Sequence, residues 1–198
     1  MSPLAAASDR DRAEPAPLAT GRLGIKLMVL ALSMLFAASM LGYLIIRSRA
    51  SAWPPPGMPR LPGALWISTA IILVSSATMQ GAVRAARSGL TRALKWRLLL
   101  TTVLGLAFLT SQTLNWFSLV AVKVTARVNL YGFTFYLLTG LHAAHVVGGL
   151  IPLGVVTTRA WRGRYSAEFH PGVEYCKIYW HFLAVVWLVM FTLLVVVA

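Results

Sequence analysis

The sequence predicts an all-α integral membrane protein, a five-transmembrane-helix bundle with its N-terminus in the cytoplasm and its C-terminus outside. Composition gives the first reason: 58% of the 198 residues are hydrophobic and only 12% are charged, about half the charged fraction of a typical soluble domain. The second reason is a set of five long apolar runs. The third is an uneven distribution of lysine and arginine among the segments that connect those runs.

Each of the five apolar runs is long enough to form a helix that crosses a hydrocarbon core, which takes about 20 residues. None contains Asp, Glu, Lys or Arg, and none shows the regular alternation of a membrane β-barrel strand. The predicted spans are residues 27–46, 63–83, 98–122, 131–156 and 178–198. They form one predicted membrane domain, residues 24–198, in which short loops make consecutive helices antiparallel neighbours. Residues 1–23 lack an apolar stretch and are predicted to be a disordered cytoplasmic tail.

The orientation follows from the basic residues, because short loops rich in lysine and arginine stay in the cytoplasm. Five spans place the N-terminal tail, the second loop and the fourth loop on one side, which holds thirteen of the eighteen basic residues. That side is predicted to be cytoplasmic. Since these charges flank apolar runs instead of forming a stripe along one element, the net charge of +13 does not indicate nucleic-acid binding.

Three histidines within the spans are the candidates for chemistry, because ionisable groups are costly to place in a membrane. His142 and His145 lie on nearly the same face of the fourth helix, and His181 lies in the fifth span. Such residues can ligate a metal or haem, or they can pack and form hydrogen bonds inside the bundle. Packing is favoured, since no carboxylate lies nearby and Cys176 is the only cysteine, which leaves a metal site incomplete. No catalytic residue is predicted.

Other residues within the spans indicate how the helices pack. Gly140, Ala144 and Gly148 recur every four residues in the fourth span, a small-residue seam that permits close contact between helices. In the third span, Gln112 and Asn115 are polar and are expected to form hydrogen bonds to neighbouring helices. A transporter is a further alternative, although the spans contain no charged residue to mark a solute path.

Two motifs resemble subunit III of the haem–copper terminal oxidases, in the short five-helix form found in bacteria. They are the segment from Thr139 to Gly149 and the segment from Tyr179 to Trp187. Upstream, residues 65–69 with Ser75-Ser76 and Gln112 with Trp116 are similar to the second and third spans of that family. The resemblance implies packing, lipid contacts or subunit contacts for His142, His145, Gly148, Gly149, Tyr179, Trp180, His181, Phe182 and Trp187.

The resemblance implies an accessory subunit without a redox centre, located in the bacterial cytoplasmic (inner) membrane. The haems and copper would be held by the partner catalytic subunit I, with subunit II also present, and this chain would support assembly, active-site integrity and proton uptake. Bound phospholipid is a feature of the family. The donor, cytochrome c or quinol, stays open. The alternatives are a haem-bearing membrane anchor that uses His142 or His145 with His181, and an accessory subunit of a related nitric-oxide reductase.

The chain departs from the family pattern at three positions where relatives usually carry a carboxylate. Leu32 occupies the first, Asn115 the second and Ala184 the third. The resemblance assigns these acidic residues to proton handling or assembly. The chain is therefore expected to be a divergent member, or one that serves an unusual oxidase.

Overall fold

In the computed structural model, residues 16–57, 63–127 and 129–195 are described, with side chains from residue 20 onward. This part of the chain is helical and has no strand. Five of its helices are long and apolar enough to cross a membrane, as predicted. We number them α1 to α5: Ala16–Ser48, Ala64–Arg87, Thr91–Ala121, Leu130–Trp161 and Pro171–Val195.

The helices extend beyond the predicted apolar spans, mostly on the side predicted to be cytoplasmic. α1 begins at Ala16, so residues 16–23 of the predicted tail are helical, whereas residues 1–15 lie outside the described residues. α5 begins at Pro171, well before residue 178. Hydropathy identifies only the part of a helix that is apolar. A helix end that carries charged side chains continues through the interface with the same backbone hydrogen bonds.

A tight turn of three residues joins α2 to α3 on the side predicted to be cytoplasmic. After α2, the amide of Gly89 donates to the carbonyl of Ala86 and the amide of Leu90 donates to that of Ala85. This pattern needs a left-handed residue after the helix, which suits glycine, and Gly89 has a φ of 66°. On the opposite side, the Asn129 side chain accepts a hydrogen bond from the amide of Gly132 and begins α4. The short turns place α2, α3, α4 and α5 as antiparallel neighbours.

The packing of α1 differs from the prediction that consecutive helices are neighbours. Helices α2 to α5 form a closed ring, in which α2 also packs against α5. Within the described residues, α1 contacts α4 and α5 but not α2. The connection formed by residues 49–63 is long enough to carry the chain from one side of the bundle to the other. Trp53 anchors it, with its ring centroid 5.7 Å from that of Tyr43 and 5.2 Å from that of Tyr131.

Charged side chains tie α2 to α5 at their shared end. The Arg87 guanidinium donates two hydrogen bonds, of 2.9 Å and 2.8 Å, to Glu174 Oε1. Lys177 Nζ lies 3.2 Å from Glu174 Oε2. Because Glu174 is in the first turn of α5, its charge also interacts favourably with the positive end of the helix dipole.

The predicted orientation is checked by cysteine labelling. Lys123 in the α3–α4 loop and Ser166 in the α4–α5 loop are both exposed, and the native Cys176 is buried. In a Cys176→Ser background, we expect a membrane-impermeant maleimide to label Lys123→Cys in intact spheroplasts. Ser166→Cys should react only after the membrane is opened, and the parent should stay unlabelled. The reverse pattern would show that the charge distribution was misread.

Candidate functional site

His142 lies in the centre of the bundle, enclosed by aromatic rings from three other helices. It is fully buried. Its ring centroid is 6.2 Å from Phe36 of α1, 5.7 Å from Phe108 of α3 and 5.3 Å from Trp187 of α5. Neither ring nitrogen has a hydrogen-bond partner among the described residues. The side chain therefore acts in this structure as a packing element at the point where four helices meet.

His145 lies one turn along α4 and faces the junction of α1 and α5. Its Nδ1 is 2.7 Å from the carbonyl oxygen of Leu141 in its own helix. Its ring centroid is 5.1 Å from that of Phe36, so Phe36 contacts both histidines of the motif. The Tyr179 hydroxyl donates to the carbonyl of His145 at 3.0 Å. This hydrogen bond links α4 and α5 through the backbone carbonyl of His145 and not through its imidazole.

The adjacent glycines of α4 have different surroundings. A Cβ atom added to Gly149 would lie 2.7 Å from Tyr179 Cε1, whereas one added to Gly148 would approach nothing closer than the Tyr179 hydroxyl at 3.9 Å. Gly140 has open space at the same position, and Ala144 is exposed. Among the described residues, the seam predicted from Gly140, Ala144 and Gly148 therefore makes no close helix contact. The close contact lies at Gly149, because a step of one residue turns the side chain by about 100° around the helix.

Two tryptophans of the α5 motif donate hydrogen bonds to hydroxyl groups of α2. The Trp180 indole N–H donates to Ser75 Oγ, and that of Trp187 donates to Thr69 Oγ1, both at 3.0 Å. Both indoles are 1% exposed. Because a buried indole N–H without an acceptor is costly, these two bonds explain why hydroxyl residues occur at those positions of α2.

His181 points away from the other two histidines, toward α2. Its Nδ1 lies 2.5 Å from Ser76 Oγ, and its Nε2 lies 3.2 Å from Gln80 Oε1. Both nitrogens are thus occupied by side chains of α2. Within the described residues, no group of three or more His, Cys, Asp or Glu side chains is placed to hold a metal ion. Haem ligation by His181 with His142 or His145 would require breaking the contacts described above.

Phe182 is the last of the motif residues, and Leu32, Asn115 and Ala184 are the positions where the resemblance predicts a carboxylate. Phe182 packs on Phe36, with 6.3 Å between ring centroids. Asn115 is buried, and its amide donates to Ser68 Oγ at 3.3 Å. Ala184 is buried and Leu32 is partly buried. Asn115 therefore places a neutral hydrogen-bonding group between α2 and α3.

Sequence reasoning missed the apolar partners that form this core. Phe36 and Phe108 are ordinary members of apolar runs, and only tertiary packing brings them to His142. Gly105 is also unforeseen: a Cβ there would lie 2.8 Å from the Trp180 ring. An isolated glycine inside an apolar span is a usable signal, since small residues let another helix approach closely.

Gln112 does not form the hydrogen bonds that the sequence predicts. It is buried, and its amide atoms have no partner among the described residues.

Gly149→Ala should destabilise the bundle, with Gly148→Ala as the matched control. The added methyl group at Gly149 overlaps the Tyr179 ring, and overpacking of this kind costs about 1–3 kcal/mol. Gly148→Ala should leave stability nearly unchanged. The measurement is the thermal unfolding midpoint of each purified variant in the same detergent. Equal midpoints would contradict the close contact at Gly149.

The chain is similar in sequence to known proteins of one family. The family model for cytochrome c oxidase subunit III matches residues 16–197. The cytochrome c oxidase subunit 3 of Synechocystis is 37% identical, over 86% of this chain and 72% of the relative. That of Thermostichus vulcanus is 32% identical, over 87% and 85%, and the probable subunit 3 of Mycobacterium leprae is 31% identical, over 81% and 80%. The match covers all five helices and both histidine motifs, and the chain belongs to the cytochrome c oxidase subunit III family.

Proposed function

We propose that this chain is the non-redox accessory subunit III of a respiratory haem–copper oxidase that reduces O2. One observation supports this most directly: the tryptophans and histidines of the family motifs are engaged by other residues of the same chain. Trp180, Trp187 and His181 bond to α2, and His142 is enclosed by aromatic rings. These residues build a rigid membrane scaffold, and the chemistry belongs to another subunit.

The proposed partners are catalytic subunit I, which would hold the haems and copper, and subunit II. The proposed location is the bacterial cytoplasmic (inner) membrane. In this role the chain supports assembly, active-site integrity and proton uptake of subunit I. Leu32, Asn115 and Ala184 lack a carboxylate, so the proposed support of proton uptake does not use an acidic side chain at these positions.

Phospholipid is a proposed companion of α1. In the described part of the chain this helix contacts only α4 and α5, and Leu30, Met34 and Leu41 are each more than half exposed. Acyl chains provide the apolar surroundings that such a face requires. Lipid bound along this outer face would therefore hold α1 against the ring of four helices, with the buried Phe36 on its inner face.

Purification of the complex tests the accessory role against the haem-anchor alternative. Mild detergent extraction with a tag on this chain should recover large partner subunits and their haem absorption. The separated chain should show no Soret band, because the nitrogens of His181 are occupied by α2. Mass spectrometry identifies the partners. Recovery of the chain without oxidase subunits, or a Soret band from the separated chain, would refute the proposal.

A double variant, His142→Leu with His145→Leu, separates a packing role from ligation. Both rings contact Phe36, so their loss should weaken the attachment of α1 and lower the yield of intact complex. Complex that does form should keep its haem spectrum and reduce its haems normally. Complete loss of haem reduction in an intact complex would show that these histidines act in electron transfer.

A further inference from the structure

Gln112 of α3 and His142 of α4 are polar side chains inside the core whose hydrogen-bonding atoms the surrounding chain does not satisfy. Gln112 is 1% exposed and His142 is 0% exposed. Within the described residues, the amide nitrogen and oxygen of Gln112 and both ring nitrogens of His142 have no hydrogen-bond partner. Burial of a polar group without a partner is costly, because its hydration is lost and not replaced. Each side chain therefore needs a partner that the described residues do not supply.

The two side chains lie on facing sides of the α3–α4 contact. Phe108, one turn before Gln112 in α3, has its ring centroid 5.7 Å from that of His142. Trp116, one turn after Gln112, donates its indole N–H to Thr139 Oγ1 at 3.1 Å. Residues four apart share a helix face, and the residues on both sides of Gln112 contact α4. Gln112 is therefore directed at α4, opposite the turn from Thr139 to His142.

A direct hydrogen bond between Gln112 and His142 would leave each side chain only half satisfied. One amide atom would bond to one ring nitrogen, and the other amide atom and the other ring nitrogen would still lack a partner. The nearby hydroxyl of Thr139 is largely occupied, since it donates to the Phe135 carbonyl at 2.7 Å and accepts from Trp116. A hydroxyl oxygen has two lone pairs, so one acceptor position of Thr139 is left.

We propose that the α3–α4 contact holds at least one buried water molecule, which bridges the Gln112 amide and the His142 imidazole. Water donates and accepts, so it can bond to either end of the amide and to either ring nitrogen, whichever tautomer is present. The remaining acceptor position of Thr139 Oγ1 supplies a third partner. Buried waters in proteins typically make about three hydrogen bonds. The proposal concerns this chain alone and does not rest on the proposed function.

The chemistry of the site favours water over a metal ion. The apolar parts of α3 and α4, residues 98–122 and 131–156, contain no Asp or Glu. A cation bound between them would be a buried charge without a counter-charge, which is strongly unfavourable in a medium of low dielectric constant. A neutral molecule that both donates and accepts hydrogen bonds avoids that cost.

Water-edited solid-state NMR on the full chain in lipid bilayers tests the site. Magnetisation starts on water protons and passes, during a short mixing time, to isotope-labelled histidine rings and methionine methyl groups. His142 lies twelve residues after Leu130, the first residue of α4, which places it about 18 Å from the outer end of the helix. Bulk water is therefore too distant to supply the transfer, and a water bound at the ring is required.

The His142 ring should receive magnetisation at short mixing times, whereas the Met190 methyl group should not. Met190 is 0% exposed and belongs to the apolar core, so it serves as the internal control. The resonances are assigned by their loss in His142→Gln and Met190→Leu. Equally weak transfer to the two side chains would overturn the proposal, and it would be expected if Gln112 and His142 bonded to each other directly.

Gln112→Leu, with Thr113→Val as the matched control, assigns the water to the amide. Loss of the amide should reduce the transfer to His142 to the level of Met190. Thr113 is exposed, and its hydroxyl donates to the carbonyl of Leu109 in its own helix at 2.9 Å, so Thr113→Val should leave the transfer unchanged. Full transfer in Gln112→Leu would show that the amide does not hold the water. If Gln112→Leu does not fold, the comparison of the two side chains in the unchanged chain still decides the proposal.

Discussion

The packing of α5 depends on the requirement that buried indole N–H groups in a membrane find acceptors within the protein, since acyl chains offer none. In this chain, α5 meets that requirement chiefly through α2. Trp180 and Trp187 each donate to a hydroxyl of α2, and His181 bonds two further side chains of the same helix. The helices most distant in sequence within the four-helix ring are thereby joined. Trp187 of this pair, Phe108 of α3 and Phe36 of α1 then enclose His142.

The two histidine motifs serve different surfaces. The α4 motif directs His142 and His145 toward Phe36, so it forms the surface on which α1 packs. The α5 motif directs its indoles inward and His181 toward the outer groove with α2. A single motif thus combines a buried anchor with a surface group.

Sequence alone predicted the five helices and the family, because both depend on local information: runs of apolar residues and two short motifs. It did not predict which glycine of α4 makes the close contact, since Gly148 and Gly149 differ only by a rotation about the helix that packing determines. It also placed α1 beside α2, because a short-loop argument ignores the connection of residues 49–63. Phe36 and Phe108 carry no signal of their own and became part of the site only through tertiary contacts.

The spacing of Trp180 and Trp187 has a mechanical consequence. Their acceptors on α2, Ser75 and Thr69, lie at matching depths, so both indole bonds form in one register only. A piston-like shift of α5 by one turn, about 5.4 Å, would break both bonds and drive the Trp180 ring away from Gly105. The two indole hydrogen bonds therefore resist sliding of α5 along α2. The helix α1 is joined to the same α5 near its other end, where the Tyr43 hydroxyl donates to the Leu193 carbonyl at 3.3 Å and accepts from the Trp53 indole N–H at 3.3 Å.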